Sequence, residues 1–546
     1  MPQLTWDSTY TDTLPEDPNR TARTRPRQVD AVFSLGTIRQ SSDPNVVVVS
    51  RDTVDLLGLA DLFDGMAEVQ LAQLLSGNEK LPGAPSPWCS NYGGHQFGSW
   101  SGQLGDGRAI TLGHMRTPSD GPWELQLKGA GQTPYSRESD GLAVLRSSLR
   151  EYLASEAMRA LGIPTTRVLS LVTTGDMVAR DEFYDGRWRE EPGAVVCRVA
   201  RSFVRFGSFQ LPASRGQTEI VKKLAVYCAK LEGGGSSGHA TDAEQQLAGW
   251  LAQVVARNAR LAAQWWAIGF VHGVLNTDNM SVLGETIDYG PYGWLEGFSL
   301  EYTPNTSDTG GRYCFKNQPA AVLWNCVQLA KSMHGVVSQD DMQHAIDSFS
   351  DAFSKEYESR MSLRLGLGGA WSDERGDGAL LQQWLGLLAE NELDYTNSFR
   401  ALSHAYPTSA TCFEATEVQT QQAQLALELL REALGKAFPA MGSTASQEWI
   451  VWLQRWLVRA TDGATTVAER EARKALMLRS NPKFILRNWM AHRAIEACTS
   501  GDSTELHRLL ALLSEPFEEH PSMACPDDTE SEPAWSKNAL GISLLS

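Results

Sequence analysis

The sequence predicts an α+β fold built as two unequal lobes, and three observations predict it. Residues 91–138 break into short apolar segments separated by glycine turns. One strong helical period follows, then two further strand-like runs. From about residue 217 the texture turns helical and stays so. The division that results is an N-terminal extension over 1–89, a small β-rich lobe over 90–210, a large helical lobe over 211–513 and an acidic tail over 514–546. A cleft between two such lobes is a natural place for a nucleotide.

Taken in order, residues 1–45 are rich in Thr, Pro, Asp and Arg and read as an extended arm with little regular structure. Val46–Val49 is a short β-branched run. Leu62, Met66, Val69, Leu71, Leu74 and Leu75 suggest a helix over 61–76. Ala109–Leu112 reads as a strand, as does Trp123–Lys128, whose period of two sets Trp123, Leu125 and Leu127 against Glu124, Gln126 and Lys128. A helix is expected over 142–158, with Asp140 as its N-cap and Gly162 and Pro164 as its stop. Strands are expected over 167–173 and 194–199. Helices are expected over 218–231, 242–270, 320–333, 341–357, 378–391, 423–436, 445–458, 465–477, 484–496 and 504–513. The run Gly233–Gly238 reads as a surface loop within the helical lobe, and residues 514–540 as a loosely packed tail.

Composition narrows the function classes. The chain has 546 residues, 42% hydrophobic and 21% charged, so it can bury a sizeable core. The 48 basic and 65 acidic residues leave a net charge of −17, so no broad basic surface for nucleic acid is expected. Eight scattered cysteines form no CxxC pair and suggest a reducing compartment. No apolar run approaches the roughly 20 residues of a membrane span. The stretch Arg20, Arg23, Arg25 and Arg27 follows Asp7, Asp12, Glu16 and Asp17 and makes a poor transit sequence. A cytoplasmic location is expected, with a mitochondrial address as the eukaryotic alternative. No feature sets an oligomeric state.

Four constellations carry chemistry. Gly102–Arg108 lacks the Gly-Lys-Ser/Thr of a Walker loop, but glycines between two strands bring backbone N–H groups close to phosphate, and Arg108 adds a charged donor. A tight hairpin is the other reading. Lys128 ends a polar strand face and needs a carboxylate to hold it; Glu151, with Glu156 as the alternative, lies on the next helix, as in the strand-lysine and helix-glutamate pair of protein kinases. The loop His272–Met280 is dense in amide and carboxylate groups, and Asp288 follows nine residues after Asn279. Asn and Asp oxygens suit Mg²⁺, and Asp278 is placed to accept a proton; an Asx-rich turn is the other reading. Arg198, Arg201 and Arg205 sit among apolar residues and, if buried, need anionic partners, either carboxylates or a triphosphate. His272 reads as a structural hydrogen-bonding residue, and His95 lacks a set of co-ligands.

The runs Asn91–Trp100, Gly102–Gly107, Leu127–Ser136, Ser155–Met158 and Val271–Pro291 resemble the selenoprotein O family, also called the YdiU family of protein adenylyltransferases, over roughly residues 10–500. The resemblance implies an atypical protein-kinase-like fold that binds ATP in an inverted orientation. It implies transfer of AMP to Ser, Thr or Tyr hydroxyls of proteins, with loss of pyrophosphate. It would place Gly105, Gly107 and Arg108 at the nucleotide, with Asp140 and Gly141 approaching it. Lys128 would touch phosphate and pair with Glu151, and Arg198 and Arg205 would hold phosphates. Asp278 would be the catalytic base, and Asn279 and Asp288 would bind Mg²⁺, with Mn²⁺ as the alternative ion.

The chain departs from ordinary kinases, reading His272-Gly273 for His-Arg-Asp and Asp288-Tyr289-Gly290 for Asp-Phe-Gly. It also lacks the selenocysteine or cysteine that some family members carry near the C-terminus; its last cysteine is Cys525. A protein or small-molecule kinase, a protein uridylyltransferase and a non-catalytic ATP-binding scaffold are the competing functions.

Overall fold

The computed structural model describes residues 4–21, 29–117, 121–181, 186–231, 243–409, 416–435, 438, 444–530, 533, 535 and 536. The Gly233–Gly238 run, Arg23, Arg25, Arg27 and the chain end Ile542–Ser546 lie outside the described residues.

The fold mixes helix with one large antiparallel sheet. The strands are β1 (Thr5–Asp7), β2 (Phe33–Leu35), β3 (Asn45–Val49), β4 (Trp88–Ser90), β5 (Gly93–Gln96), β6 (Ser99–Gln103), β7 (Ala109–Arg116), β8 (Pro122–Lys128), β9 (Ala143–Val144), β10 (Arg167–Arg180), β11 (Arg189–Ala200), β12 (Phe270–Val271) and β13 (Gly293–Trp294). Nine of them form the main sheet in the order β2-β4-β7-β8-β11-β10-β3, with β1 also paired to β7 and β9 to β11. β5 and β6 make a separate hairpin, and β12 pairs β13.

The N-terminal arm differs from its sequence reading. β1 pairs β7 and β2 pairs β4, so Thr5–Asp7 and Phe33–Leu35 add strands to the sheet. Polar, Pro-rich composition hid this because such short strands draw their stability from the neighbours they pair with. The helix expected over 61–76 is two. After α1 (Thr9–Thr13) and α2 (Arg51–Leu57) come α3 (Ala60–Phe63) and α4 (Glu68–Ser76), separated around Gly65.

α5 (Leu145–Ala160) starts later than expected. Val144 is its N-cap and Asp140 lies outside it, because Ala143 and Val144 are drawn into the sheet beside β11. The sheet is sandwiched. One face, with Leu125, Leu127, Val195, Cys197 and Val199, packs on Val54, Leu57, Leu62 and Leu74 from α2–α4. Val196 and Ala194, on the other, join α5 and the helical lobe in the largest core cluster.

The helices continue with α6 (Phe206–Ser214), α7 (Thr218–Leu231), α8 (Ala243–Ile268), α9 (Gln318–Ser332), α10 (Gln339–Leu365), α11 (Asp377–Glu390), α12 (Tyr395–Ala405), α13 (Thr416–Leu434), α14 (Thr444–Thr461), α15 (Val467–Ser480), α16 (Asn488–Thr499) and α17 (Thr504–Ser514). The described part of the tail is tied down, contrary to the sequence reading. Asp528 is buried and pairs with Arg508 at 2.7 Å, and Glu519 pairs with Arg400 at 2.7 Å. Among the described residues no helix is long and apolar enough to cross a membrane, and the described cysteines are free thiols.

Candidate active site

Sheet register sets the first half of the site. Arg198 on β11 lies opposite Gln126 on β8, and Lys128 lies opposite Val196. Period two then puts Lys128, Gln126 and Arg198 on the face that meets α5. That face was legible as polar, but it is buried: Gln126 and Glu124 are sealed from solvent.

α5 carries Glu151 into this face. Its carboxylate accepts from Lys128 Nζ at 2.6 Å and from Arg198 Nη1 at 3.0 Å. Lys128 and Arg198 together hold Glu151 below the usual carboxylate range, against the upward push of burial. Glu156, the alternative partner, turns away toward Arg167 and Ser50.

The second half comes from the loop between β12 and β13. Phe270↔Trp294 and Val271↔Gly293 close its base, and His272 Nε2 is 2.9 Å from the Ile287 carbonyl, a structural bond across the loop. Asp288 sits at φ 55°, in the left-handed region, a conformation that costs a non-glycine residue about 1–3 kcal/mol and concentrates at functional sites. Its two oxygens accept from Arg198 Nη1 and Arg205 Nη1, and Lys128 Nζ lies 3.9 Å away. Burial would raise this carboxyl, but Arg205, Arg198 and Lys128 hold it well below the usual range.

Arg205 also donates to the Asp278 main-chain carbonyl at 2.8 Å, stacks over Tyr92 at 4.7 Å, and lies 4.0 Å from the buried Asp106. The Asp278 carboxylate is nearly buried, and burial pushes its pKa up to about 6. Gln96 donates to its Oδ2 at 3.3 Å, while Oδ1 is buried without a hydrogen-bond partner. Gly94 is close-packed there: a Cβ on it would lie 2.7 Å from Asp278 Oδ1.

The structure thus brings together Lys128, Glu151, Arg198, Arg205, Asp288 and the Asp278 loop. Gly105, at φ 95°, lies against Tyr135, and the Gly107 carbonyl accepts from the Ser136 hydroxyl. Arg108 is exposed, and its charge reaches both Lys128 and Asp140. Asp140 itself is exposed and forked by Arg180 at 2.7 and 3.0 Å. The Gly141 carbonyl accepts from Gly131 N–H at 3.0 Å. Arg201 lies elsewhere, over the Trp123 ring at 5.3 Å. Sequence reasoning missed Asp106, Gln126 and Gln96. Each lay inside a motif already singled out, among residues that drew the attention.

The donor set fits a hard divalent cation. Asn279 spends its amide Nδ2 on the Val274 carbonyl at 3.0 Å, which leaves its oxygen as the ligating atom. Among the described residues no group of three or more His, Cys, Asp or Glu could hold a metal. Two protein oxygen donors would leave the rest of a Mg²⁺ shell to waters and phosphates, a common way of holding that ion.

A family model described as protein adenylyltransferase SelO matches residues 23–514. The chain belongs to the SelO family. It is 41% identical over 553 residues to a protein nucleotidyltransferase YdiU of Nitrosospira multiformis, covering 99% of this chain and 96% of that one. It is 41% identical over 556 residues to the YdiU protein of Xanthomonas campestris pv. campestris, covering 100% and 99%, and 40% identical over 550 residues to that of an Azoarcus species, covering 100% and 99%. SelO membership makes this chain part of a nucleotidyltransferase family, and the residues gathered above lie within the matched span.

Proposed function

We propose that this SelO-family chain is an atypical protein-kinase-like enzyme that transfers AMP from ATP to Ser, Thr or Tyr hydroxyls of protein substrates. One observation carries the reading: Lys128, Arg198 and Arg205 converge on Asp288 beside Asp278, so groups able to hold phosphate and a group able to take a proton share one site.

The chemistry follows from those groups. The acceptor oxygen bonds to the α-phosphorus, the bond from that phosphorus to the β-bridging oxygen breaks, and pyrophosphate leaves with the bonding pair. Asp278 orients the acceptor hydroxyl and takes its proton; burial, which raises its basicity, suits that task. Arg198 and Arg205 exchange part of their hold on Asp288 for the phosphate oxygens, where fixed guanidinium groups stabilise developing charge. Lys128, steered by Glu151, contacts phosphate as a point charge. Gly105, Gly107 and Arg108, with Asp140 and Gly141, border the nucleotide. Asn279 and Asp288 would hold Mg²⁺, or Mn²⁺, which when bound neutralises charge on the phosphates and the departing pyrophosphate.

The test is the mass added to acceptor proteins by the parent and by Asp278→Ala, incubated with Mg²⁺ and ATP and read by intact-protein and peptide mass spectrometry. An AMP-mass adduct on a hydroxyl side chain, absent with Asp278→Ala, is expected. A phosphate-mass adduct would select a kinase, a preference for UTP a uridylyltransferase, and ATP binding with no adduct a scaffold.

A further inference from the structure

The β5–β6 hairpin is fastened to the loop that carries Asp278. His95 N–H donates to Thr277 Oγ1 at 2.7 Å. Phe97 N–H donates to the Tyr313 hydroxyl at 2.9 Å and to Asn276 Oδ1 at 3.2 Å. The Tyr313 hydroxyl donates in turn to the same Asn276 oxygen at 2.8 Å, and Thr277 Oγ1 donates to Gln210 at 2.6 Å. Backbone donors of the hairpin are therefore spent on side chains of the loop, and this fixes where β5 stands relative to Asp278.

Within that frame the two oxygens of Asp278 have different surroundings. Oδ1 is closed off against Gly94 and has no hydrogen-bond partner. Oδ2 accepts from Gln96 Nε2, the only side-chain donor to this carboxylate among the described residues. A rival acts on the same group. Arg205 is already bonded to the Asp278 carbonyl and attracts its carboxylate. In a buried setting an arginine–carboxylate pair is stronger than a neutral amide bond. Arg205 is, however, already held by Asp288, and the group bonded to the Asp278 carboxylate is the Gln96 amide. The hairpin reaches solvent next to this point, since Phe97 and Trp100 are 42% and 41% exposed. Gln96 itself is only partly buried, so the donor to Oδ2 stands between the Asp278 carboxylate and these two exposed rings in the chain.

We infer that Gln96 is a positioning residue: its amide keeps the Asp278 carboxylate off Arg205 and turned toward the incoming acceptor hydroxyl. The inference rests on the function proposed above. It separates acceptor-side positioning, carried by the β5–β6 hairpin, from nucleotide binding, carried by the Lys128 and arginine cluster.

The experiment compares the parent with Gln96→Leu, which removes the donor, and Gln96→Glu, which replaces it with a like charge. Acceptor labelling is followed by mass spectrometry at saturating Mg²⁺ and ATP, and nucleotide affinity by calorimetry on the same preparations. The expected result is a kcat lower by about ten- to a hundredfold in Gln96→Leu and at least as low in Gln96→Glu, with KM for ATP, nucleotide Kd and Tm held at the parent values. An unchanged kcat in Gln96→Leu overturns the role. So does a loss that only tracks weaker nucleotide binding and a lower Tm, the mark of a purely structural residue. A parent that transfers phosphoryl in place of nucleotidyl defeats the functional reading alone, and a kcat loss in Gln96→Leu then still supports positioning of the base. A parent that modifies no protein overturns both.

Discussion

Lys128 and Glu151, 23 residues apart, meet at 2.6 Å. The same Glu151 carboxylate holds Arg198 at 3.0 Å, so one side chain aims two cations. Glu151→Ala should free Lys128 and loosen Arg198, which Asp288 still holds, and lower kcat/KM for ATP by more than tenfold. Lys128→Met should cost about 10²–10³-fold, the scale of losing one preorganised charge donor. Steady-state kinetics at varied ATP checks both, with Glu151→Ala expected to act mainly through KM.

Asp288 neutralises two buried guanidinium groups. Asp288→Ala would strand Arg198 and Arg205 without it, and breaking a buried pair from one side costs about 3–5 kcal/mol. Asp278→Ala removes a carboxylate whose Oδ1 has no partner, and should unfold close to the parent. Thermal unfolding of the two variants side by side should therefore separate them, although both should abolish transfer.

Gly94→Ala should act without touching the nucleotide groups. The new methyl would lie 2.7 Å from Asp278 Oδ1 and 3.1 Å from its Cβ, so the side chain must move. Displacing a reacting group by about 1 Å costs on the order of a hundredfold. Transfer should fall by that order while calorimetry finds nucleotide affinity retained.

The acid limb of the pH–rate profile should report Asp278. Burial lifts its pKa to about 6, and only the ionised carboxylate takes the acceptor proton. Transfer should therefore fail below pH 6, rise through that value and level off above it. A profile flat from pH 5 to 8 would remove Asp278 from the role of base.

Periodicity was the dependable guide to the fold. α7 runs Thr218–Leu231, as the apolar spacing predicts, and β8 ends at Lys128. Elements lacking that signal were lost. α12 reads Tyr-Thr-Asn-Ser-Phe-Arg-Ala-Leu-Ser-His-Ala, whose hydroxyl and amide groups suggest a loop; burial makes it a helix, started by Asp394 accepting from Asn397 N–H at 2.8 Å. Asp140 failed as a cap for a related reason: sheet pairing of Ala143 and Val144 took precedence over local capping.

In the site, residue types were legible and their company was not. A lone Lys128 or Arg198 could have been a surface charge. Only the register of β8 against β11, and the face that α5 turns inward, bring them together. In the Asn91–Trp100 run His95 is the residue that stands out by type, yet Gly94 and Gln96 are the residues that meet Asp278. Contacts across 182 positions leave no trace in local spacing.

Lys128, Arg198 and Arg205 stand against Asp106, Glu151 and Asp288, so the innermost charges cancel. The rest of the chain carries a net −17. A polyanionic nucleotide diffusing toward this protein meets like charge at long range and no net attraction from the inner cluster. Dissolved salt shortens the reach of that repulsion to about 10 Å at 0.1 M. Nucleotide capture should consequently quicken as ionic strength rises, the reverse of a site fed by an electropositive funnel.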